Sequence, residues 1–293
     1  MSTSALAAPR SAAADYLALT KPRITLLVMF TALVGFVAAS RGPVSPFALG
    51  AALVGTGLVA AGASAHNMLL ERHTDARMRR TQTRPLPSGH LRPIEALVFG
   101  SVLTTAGLLE LAWLSGRLAA GVALLTWSTY LFLYTPLKTR TSLSTIVGAF
   151  PGALPPVIGW AAARGAIDGG ASLIFAILFL WQIPHFLAIA WLYRDDYARG
   201  GLPMLPVIDA EGRMTGRQAV AHTLALLVVS LAPTGAGMAG RVYLAVALAL
   251  GLGFVAVAVR AAVLRSIPAA RALFLASLVY LTAVFALLLL DKA

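Results

Sequence analysis

The chain has 293 residues, of which 59% are hydrophobic and only 12% are charged, and it has no cysteine. Ordinary soluble domains carry about 25% charged residues, so this composition excludes a water-soluble globule of this length. Each membrane-spanning helix needs roughly 20 apolar residues, and the hydrophobic content suffices for about eight or nine helices with no sizeable soluble domain beside them. The lack of cysteine excludes disulfides, cysteine nucleophiles and thiolate metal sites.

The basic excess, 23 Lys and Arg against 11 Asp and Glu, gives a net charge of +12. In a soluble protein this balance indicates nucleic acid binding, but in a membrane protein it more often reflects loop orientation, so we expect no nucleic acid partner. Residues 1–23 include Arg10 and lack the compact apolar core of a cleaved signal peptide. They are predicted to form a cytoplasmic tail before a retained first helix, and the lack of a long Arg/Ser-rich presequence favours a bacterial plasma membrane.

Nine apolar runs bounded by charge, proline or glycine predict an all-α integral membrane protein with one transmembrane domain over residues 24–290. Eight or ten spans are the neighbouring alternatives. The predicted spans are residues 24–40, 46–70, 95–114, 118–136, 143–162, 171–193, 217–234, 241–260 and 271–290.

The distribution of basic residues tests this division. With nine spans, eighteen of the 23 Lys and Arg residues lie on one side of the membrane and five on the other. Because basic residues are retained in cytoplasmic loops, the N-terminus is predicted inside and the C-terminus outside. The long polar segments 71–94 and 194–216 then lie on the cytoplasmic side, where we expect any chemistry.

The first polar segment starts at the end of the second predicted helix. Asn67, Glu71 and Asp75 are spaced i, i+4, i+8, which places them within about 80° of one another on a helix. Such oxygen ligands suit Mg²⁺, which proteins usually hold together with substrate phosphates. The next residues bring arginines whose planar groups match phosphate oxygens: Arg77, Arg79, Arg80 and Arg84. A metal–diphosphate site and a simple salt-bridge network both fit this spacing.

Two further polar groups lie at predicted helix ends. Tyr134 and Lys138 could donate a hydrogen bond and a positive charge to a phosphate, or they could be an interfacial tyrosine and a snorkelling lysine. Asp195 and Asp196 could hold a second metal ion, or they could be solvated charges that balance Arg194 and Arg199.

Gln182 and His185 lie inside an apolar run. Polar side chains within a membrane helix are costly and usually face the bundle interior, so a functional role is the default hypothesis for His185. Hydrogen bonding to a neighbouring helix for packing is the alternative.

Several motifs in order resemble the intramembrane UbiA-type prenyltransferases, and within them the branch that prenylates haem. The resemblance covers about Leu19 to Leu205. It rests on the Asn67/Glu71/Asp75 spacing, Arg80-Thr81, Arg84-Pro85-Leu86, Tyr134 with Lys138, Gly152 to Gly159, Gln182 to Phe186, and Asp196-Tyr197. It implies a nine-helix bundle around a central cavity, with substrates that enter from the lipid bilayer.

The resemblance also implies a reaction. Farnesyl diphosphate would donate its farnesyl group to a vinyl group of protohaem IX (haem B), and water would complete the hydroxyethylfarnesyl product, haem O. Asn67, Glu71 and Asp75 would hold Mg²⁺ against the diphosphate. Together with Lys138 and Arg84, which would stabilise negative charge as the C–O bond breaks, they would form the catalytic centre. The diphosphate would be bound by residues of the two basic segments: Arg79, Arg80, Arg84, Tyr134 and Lys138.

For the acceptor, the resemblance makes His185, with Gln182, the candidate contact to haem, and His66 and His73 are its competitors. Glutamate at position 71, where the wider family usually has aspartate, favours the haem branch. The family's second Asp-x3-Asp pair is not reproduced, because Asp195 and Asp196 are followed four residues later by Arg199 and Gly200.

The family implies a role in maturation of haem-copper terminal oxidases, with haem A synthase or oxidase assembly proteins as downstream partners. Two other functions stay open from the residues alone. One is a sister prenyltransferase that acts on an aromatic or quinone precursor. The other is a transporter whose intramembrane polar residues line a pathway.

Overall fold

The computed structural model describes residues 11–293. Helix dominates this part of the chain, and an isolated bridge between Ala239 and Lys292 is its only β-type pairing. The α-helices in chain order are α1 Ala12–Leu19, α2 Pro22–Ala39, α3 Pro46–Asp75, α4 Pro93–Glu110, α5 Arg117–Ser128, α6 Thr135–Leu137, α7 Ser144–Ala153, α8 Pro155–Arg164, α9 Gly169–Leu192, α10 Arg194–Arg199, α11 Leu205–Ile208, α12 Arg213–Gly235, α13 Arg241–Leu264 and α14 Ile267–Leu290.

Nine helical segments within residues 11–293 are long and apolar enough to cross a membrane, and they coincide with the nine predicted spans. The predicted fold class, an all-α integral membrane protein, is therefore confirmed. The largest difference at a single helix end is in the second span, where α3 runs on to Asp75 instead of ending at residue 70. Apolar runs stop at the first charged residue, whereas helical hydrogen bonding continues past the membrane boundary.

Three spans depart from a regular α-helix. The third and fourth spans contain π-helical stretches at Leu111–Ser115 and Thr129–Tyr134. The fifth span is broken between α7 and α8, where Pro155 begins α8 and cannot donate a backbone hydrogen bond. π-Helical turns frequently occur at functional sites, and the second stretch carries the predicted site residue Tyr134.

Successive spans alternate in direction, so their connections gather at two ends of the bundle. One end, which we call the polar end, carries the connections 76–92, 138–143, 193–212 and 265–266 and also Lys21. The predicted metal and diphosphate ligands lie in these connections or in the helix turns next to them. The fold therefore brings residues that are far apart in the sequence to one end of the bundle.

Close helix packing in the interior depends on small residues. Gly35 of α2 and Gly159 of α8 lie against each other's helix, and a methyl group at either position would overlap the opposing backbone at Pro156 or Ala32. Such close approach is how membrane helices associate without a hydrophobic driving force. Large apolar side chains such as Trp113 and Val228 instead lie on the outer surface, as expected for contact with lipid.

The helix α1 packs against the polar end. Leu19 is fully buried in a small apolar cluster with residues of α3, α4 and the 76–92 connection. Asp15, also buried, lies 3.4 Å from Nδ1 of His90. Part of the tail predicted over residues 1–23 is therefore a packed helix, while residues 1–10, including Arg10, lie outside the described residues.

At the other end, the C-terminal residues join the last span to the first. The Lys292 ammonium donates hydrogen bonds to the carbonyl oxygens of Val37, at 2.8 Å, and Ser40, at 2.5 Å. The carboxylate of Asp291 accepts the backbone N–H of Tyr243 at 2.7 Å. These contacts connect α2, α13 and α14.

Candidate active site

The last turns of α3 carry the candidate metal ligands. Asn67 and Asp75 are almost fully buried, with Glu71 between them at the i+4 position. Because α3 continues to Asp75, the three side chains lie along one helical face, which we call the acidic face. The backbone carbonyl of Asp75 accepts the hydroxyl of Thr81 at 2.8 Å, and this bond starts the connection to α4.

Lys138 contacts the middle of the acidic face. Its Nζ donates to Glu71 Oε1 at 2.7 Å, and both side chains are largely buried. Burial alone would lower the pKa of Lys138, but the Glu71 carboxylate raises it above its ordinary value. The lysine therefore stays charged inside the site.

Arg84 contacts the end of the acidic face. Its guanidinium donates to Asp75 Oδ2 at 2.7 Å, and the Asp75 side chain is only 1% exposed. The other carboxylate oxygen, Oδ1, is buried with no hydrogen-bond partner among residues 11–293. A buried carboxylate oxygen without a donor is costly. Together with the amide and carboxylate oxygens of Asn67 and Glu71, it gives a donor set that fits Mg²⁺.

Lys21 is a site residue that the sequence analysis missed. Its Nζ donates to Asn67 Oδ1 at 2.6 Å. Burial lowers the pKa of Lys21 to about 8, and the Glu71 carboxylate opposes this shift. The signal in the sequence is the charged triplet Lys21-Pro22-Arg23 just before the first span, whose two basic residues were used above only within the count of eighteen that sets the membrane orientation. With Lys21, Arg84 and Lys138, three cations contact the acidic face.

Two tyrosines form a wall beside these cations. The π-helical stretch Thr129–Tyr134 places the rings of Tyr130 and Tyr134 in a stack with centroids 5.5 Å apart. The Lys138 ammonium lies 5.4 Å from the Tyr134 ring centroid. Gly148 of α7 leaves the space that the Tyr134 ring occupies. The predicted pair of Tyr134 and Lys138 is therefore in contact at the edge of the acidic face.

The arginines of the 76–92 connection do not all point the same way. Arg84 contacts the acidic face, whereas the guanidinium of Arg80 lies 5.0 Å from the ring centroid of Tyr193 and 5.8 Å from that of Tyr197. The side chain of Arg79 is exposed. Of these arginines, Arg84 therefore points towards α3, whereas Arg80 points towards the residues between α9 and α10.

Asp196 links the 193–212 connection to the 76–92 connection. Its carboxylate accepts the backbone N–H groups of Arg79, at 3.1 Å, and Arg80, at 3.3 Å, and it pairs with Arg199. Burial works against ionisation, but the Arg199 guanidinium and the two N–H donors lower the pKa of Asp196 below its ordinary value.

Asp195 takes no part in the contacts that Asp196 makes. Its side chain is 87% exposed, and the nearest cation is Arg194, with Nε 3.9 Å away. Within residues 11–293, acidic and histidine side chains form no group of three or more that could hold a metal ion. The structure therefore does not bring Asp195 and Asp196 into one metal-binding cluster with Glu71 and Asp75.

The predicted haem contacts, Gln182 and His185, are buried within α9 in the interior of the bundle. The Gln182 amide donates to the carbonyl oxygens of Ala149, at 3.1 Å, and Leu178, at 3.2 Å. The Nδ1 atom of His185 lies 2.8 Å from Ser277 Oγ of α14. The imidazole also stacks between the rings of Trp181 and Phe274, with centroid distances of 4.6 and 5.1 Å.

The two competing histidines have different surroundings. His66 Nδ1 accepts the indole N–H of Trp127 at 3.3 Å, and its Nε2 lies 3.2 Å from Ser101 Oγ. Both ring nitrogens are therefore engaged, and iron ligation by His66 would break one of these bonds. His73 is exposed at the polar end.

The sequence matches known proteins over nearly its whole length. A profile of the UbiA prenyltransferase family matches residues 28–288. The protoheme IX farnesyltransferase of Solibacter usitatus strain Ellin6076 is 48% identical over 288 residues, which cover 95% of this chain and 98% of the relative. The protoheme IX farnesyltransferase of Koribacter versatilis strain Ellin345 is 44% identical, with 99% and 98% covered.

The fold matches solved structures. A digeranylgeranylglyceryl phosphate synthase superimposes with a TM-score of 0.80 at 15% identity, over 95% of this chain and 98% of the other. A UbiA homologue from Archaeoglobus fulgidus, bound to GPP and Mg²⁺, superimposes with a TM-score of 0.66 at 16% identity, over 94% and 99%. At such low identity these similarities show a shared fold.

Proposed function

Because the chain belongs to the UbiA prenyltransferase family, we propose that it transfers the farnesyl group of farnesyl diphosphate to a vinyl group of protohaem IX. Water adds in the same overall reaction, which gives haem O and diphosphate. The relatives that share 42–48% identity are named protoheme IX farnesyltransferases, and they support this acceptor and donor. The single structural observation that carries the proposal is the acidic face with three cations in contact with it.

In this proposal the acidic face and its cations bind the diphosphate. Asn67, Glu71 and Asp75 would hold Mg²⁺, and the unpartnered Asp75 Oδ1 supports that assignment. When bound, the metal ion supplies positive charge that neutralises the phosphate oxygens. The superimposed A. fulgidus homologue binds GPP and Mg²⁺, which is consistent with a metal-dependent reaction in this fold.

The protein's own cations then stabilise the leaving group. Lys138 and Arg84 each contact a carboxylate of the acidic face at 2.7 Å, so both side chains are already positioned at the site. Preorganised donors aimed at developing negative charge lower the barrier most where water is excluded. Cleavage of the farnesyl C–O bond leaves the electron pair on the diphosphate, where these side chains would meet it.

The farnesyl cation reacts with the acceptor before bulk water can capture it. Its C1 carbon bonds to the terminal vinyl carbon of protohaem, and water adds a hydroxyl group to the neighbouring carbon with release of a proton. The buried site and the apolar helices around it exclude bulk water from this step. Tyr134 would donate a hydrogen bond to the diphosphate, and Arg79 and Arg80 would attract it from the connecting loop.

For the acceptor, we propose that His185 and Gln182 contact the haem. Imidazole is a common axial ligand of haem iron. Haem is the acceptor substrate here, and the product would pass to haem A synthase or to oxidase assembly proteins.

The bundle is an integral membrane protein, and we propose that it lies in a bacterial plasma membrane with the polar end in the cytoplasm. The excess of Lys and Arg at that end supports this orientation. The N-terminus would then be cytoplasmic and the C-terminus outside, with the active site near the cytoplasmic face.

The test is a reaction of the purified protein in detergent or lipid with haem B, farnesyl diphosphate and Mg²⁺. We expect a haem product heavier by one farnesyl group and one water molecule in the mass spectrum. Release of diphosphate only when an aromatic acceptor replaces haem would instead assign the protein to the quinone-precursor enzymes. If the protein forms no product with haem B and none with an aromatic acceptor, the proposed activity is overturned.

A further inference from the structure

A polar cavity lies at the polar end of the bundle, at the ends of α9 and α13. Its volume is about 610 Å³, and it is lined in part by Trp191, Tyr193, Arg194, Arg199, Glu211 and Arg265. None of the three residues of the acidic face lines it. The metal and diphosphate roles described above leave this cavity without a function.

Two arginines converge on one wall of the cavity. Nη1 of Arg194 lies 3.5 Å from the carbonyl oxygen of Ala210, and Nη1 of Arg265 lies 3.2 Å from that of Glu211. Both guanidinium groups are thus bound to consecutive residues of one connection, and both side chains line the cavity. Each guanidinium has five N–H donors, and these contacts use only some of them.

Three carboxylates, Asp195, Asp196 and Glu211, also line the cavity, and Asp196 pairs with Arg199 rather than with Arg194 or Arg265. The Glu211 carboxylate pairs with Arg213 at 2.7 Å and so is directed to another partner. Among residues 11–293, no carboxylate lies within 4.0 Å of a charged nitrogen of Arg265, and Arg194 has only the exposed Asp195 at 3.9 Å. Two guanidinium groups that line one cavity and keep spare N–H donors are suited to bind carboxylates.

The backbone at this wall is constrained to hold the arrangement. Arg265 ends α13 in the left-handed conformation, at φ 46°, which is unfavourable for a residue with a side chain. Gly212 has φ 73°, and the Trp191 ring occupies the space where its Cβ would lie. Backbone strain of this kind persists where the surrounding structure enforces it, and it clusters at ligand sites.

The cavity also offers apolar surface and proximity to the diphosphate loop. Trp191 and Tyr193 line it, with the Arg194 guanidinium 5.5 Å from the centroid of the Trp191 ring, and aromatic rings stack on flat apolar ligands. The Tyr193 ring contacts Arg80 on its other side, at 5.0 Å. A ligand in the cavity would therefore be separated from the 76–92 connection by about one aromatic ring.

We propose that Arg194 and Arg265 bind the two propionate carboxylates of the porphyrin acceptor. This inference rests on the proposed function, which supplies an acceptor with two carboxylates on one edge of a flat macrocycle and vinyl groups elsewhere on its rim. With the propionates held at the cavity mouth, the macrocycle lies against Trp191 and Tyr193. Its vinyl-bearing rim is then directed across Tyr193 towards Arg80 of the 76–92 connection.

The test compares protohaem IX with its dimethyl ester, in which both carboxylates are masked and both vinyl groups are kept. Binding is measured from the haem absorption band without farnesyl diphosphate, in nanodiscs of zwitterionic lipid. The unsubstituted protein is expected to bind the free acid roughly tenfold more tightly than the ester. Equal affinities would overturn the proposal without the need for any variant.

Arg194→Gln and Arg265→Gln extend the test. Each is expected to weaken haem binding roughly tenfold and to reduce the preference for the free acid, with KM for farnesyl diphosphate unchanged. Arg217→Gln, an exposed arginine at the same end of the bundle, is the matched control and should bind both haems like the unsubstituted protein. Unchanged KM shows that each variant is folded.

Two other outcomes identify what has failed. Variants that keep full haem affinity but respond differently to added phosphatidylglycerol would show a lipid headgroup site, which overturns the propionate assignment. A preference for the free acid that depends on both arginines, in a protein that forms no farnesylated haem, would support the carboxylate site and overturn the proposed reaction instead.

Discussion

The Nζ atom of Lys21 lies 2.6 Å from Oδ1 of Asn67, so the residue before the first span is bonded to the first residue of the acidic face. Lys21 makes this contact from a left-handed backbone conformation, at φ 46°, which costs a residue with a side chain roughly 1–3 kcal/mol. Burial also lowers its pKa to about 8. Strain and desolvation at one side chain indicate a role in the site.

We expect Lys21→Met to lower kcat/KM for farnesyl diphosphate by roughly 100-fold, because one preorganised cation is lost from the diphosphate site. Lys21→Arg keeps the charge and should recover part of the activity. Steady-state kinetics of both variants provide the measurement. A Lys21→Met protein with unchanged kcat/KM would show that the lysine serves only to start α2.

Asp75→Asn tests the metal ligands. The substitution keeps the shape of the side chain and removes the charge, so we expect turnover to fall at least roughly 100-fold, with a higher Mg²⁺ concentration needed for half-maximal activity. The matched control is Asp168→Asn at the opposite end, where Asp168 caps α9 and asparagine caps equally well. Wild-type Mg²⁺ dependence in Asp75→Asn would refute the assignment.

Much of this fold follows from the sequence because membrane helices are specified by composition. A run of about 20 apolar residues can cross a bilayer almost only as a helix, because its backbone hydrogen bonds must be made within the run. All nine spans were therefore predicted near their observed positions. The contact between Lys292 and Val37 was not predictable, because it joins residues 255 positions apart. Neither was the packing of α1, which depends on a surface formed by other helices.

In the candidate site, too, features that are local in the sequence were predictable and contacts between distant residues were not. The acidic face was predictable because its i, i+4, i+8 spacing is local to one helix. Lys21 was missed because its partner is 46 residues away, and no helical spacing connects them. The environments of Asp195 and Asp196 were equally hidden: adjacent in sequence, one is exposed and the other braces the 76–92 connection.

The pair of Glu71 and Lys138 is expected to behave as one unit. Removing either charge leaves the other buried without its partner, so Glu71→Gln and Lys138→Met should each cost roughly 3 kcal/mol of stability. The double substitution should cost clearly less than the sum, because neither charge is then left alone. Unfolding followed by circular dichroism gives the free energies of unfolding of the unsubstituted protein, the two single variants and the double variant. Additive costs would show that the two side chains do not interact.

Lys292 is expected to affect stability without affecting catalysis. Lys292→Met removes two hydrogen bonds from the contact between α14 and α2 at the end opposite the acidic face, which we expect to cost about 1 kcal/mol. The apparent thermal midpoint should fall by a few degrees, while kcat and both KM values stay unchanged. A loss of turnover at full stability would contradict the structural role.

His185→Ala separates haem binding from packing. If the imidazole contacts haem, the variant should bind haem roughly tenfold more weakly, with KM for farnesyl diphosphate changed less than about twofold. His185→Phe is the discriminating partner, because phenylalanine can replace the stack between Trp181 and Phe274 but cannot ligate iron. Haem titrations by absorption should show weak binding in both variants. Restoration of haem binding by phenylalanine would instead show that His185 serves only to pack α9 against α14.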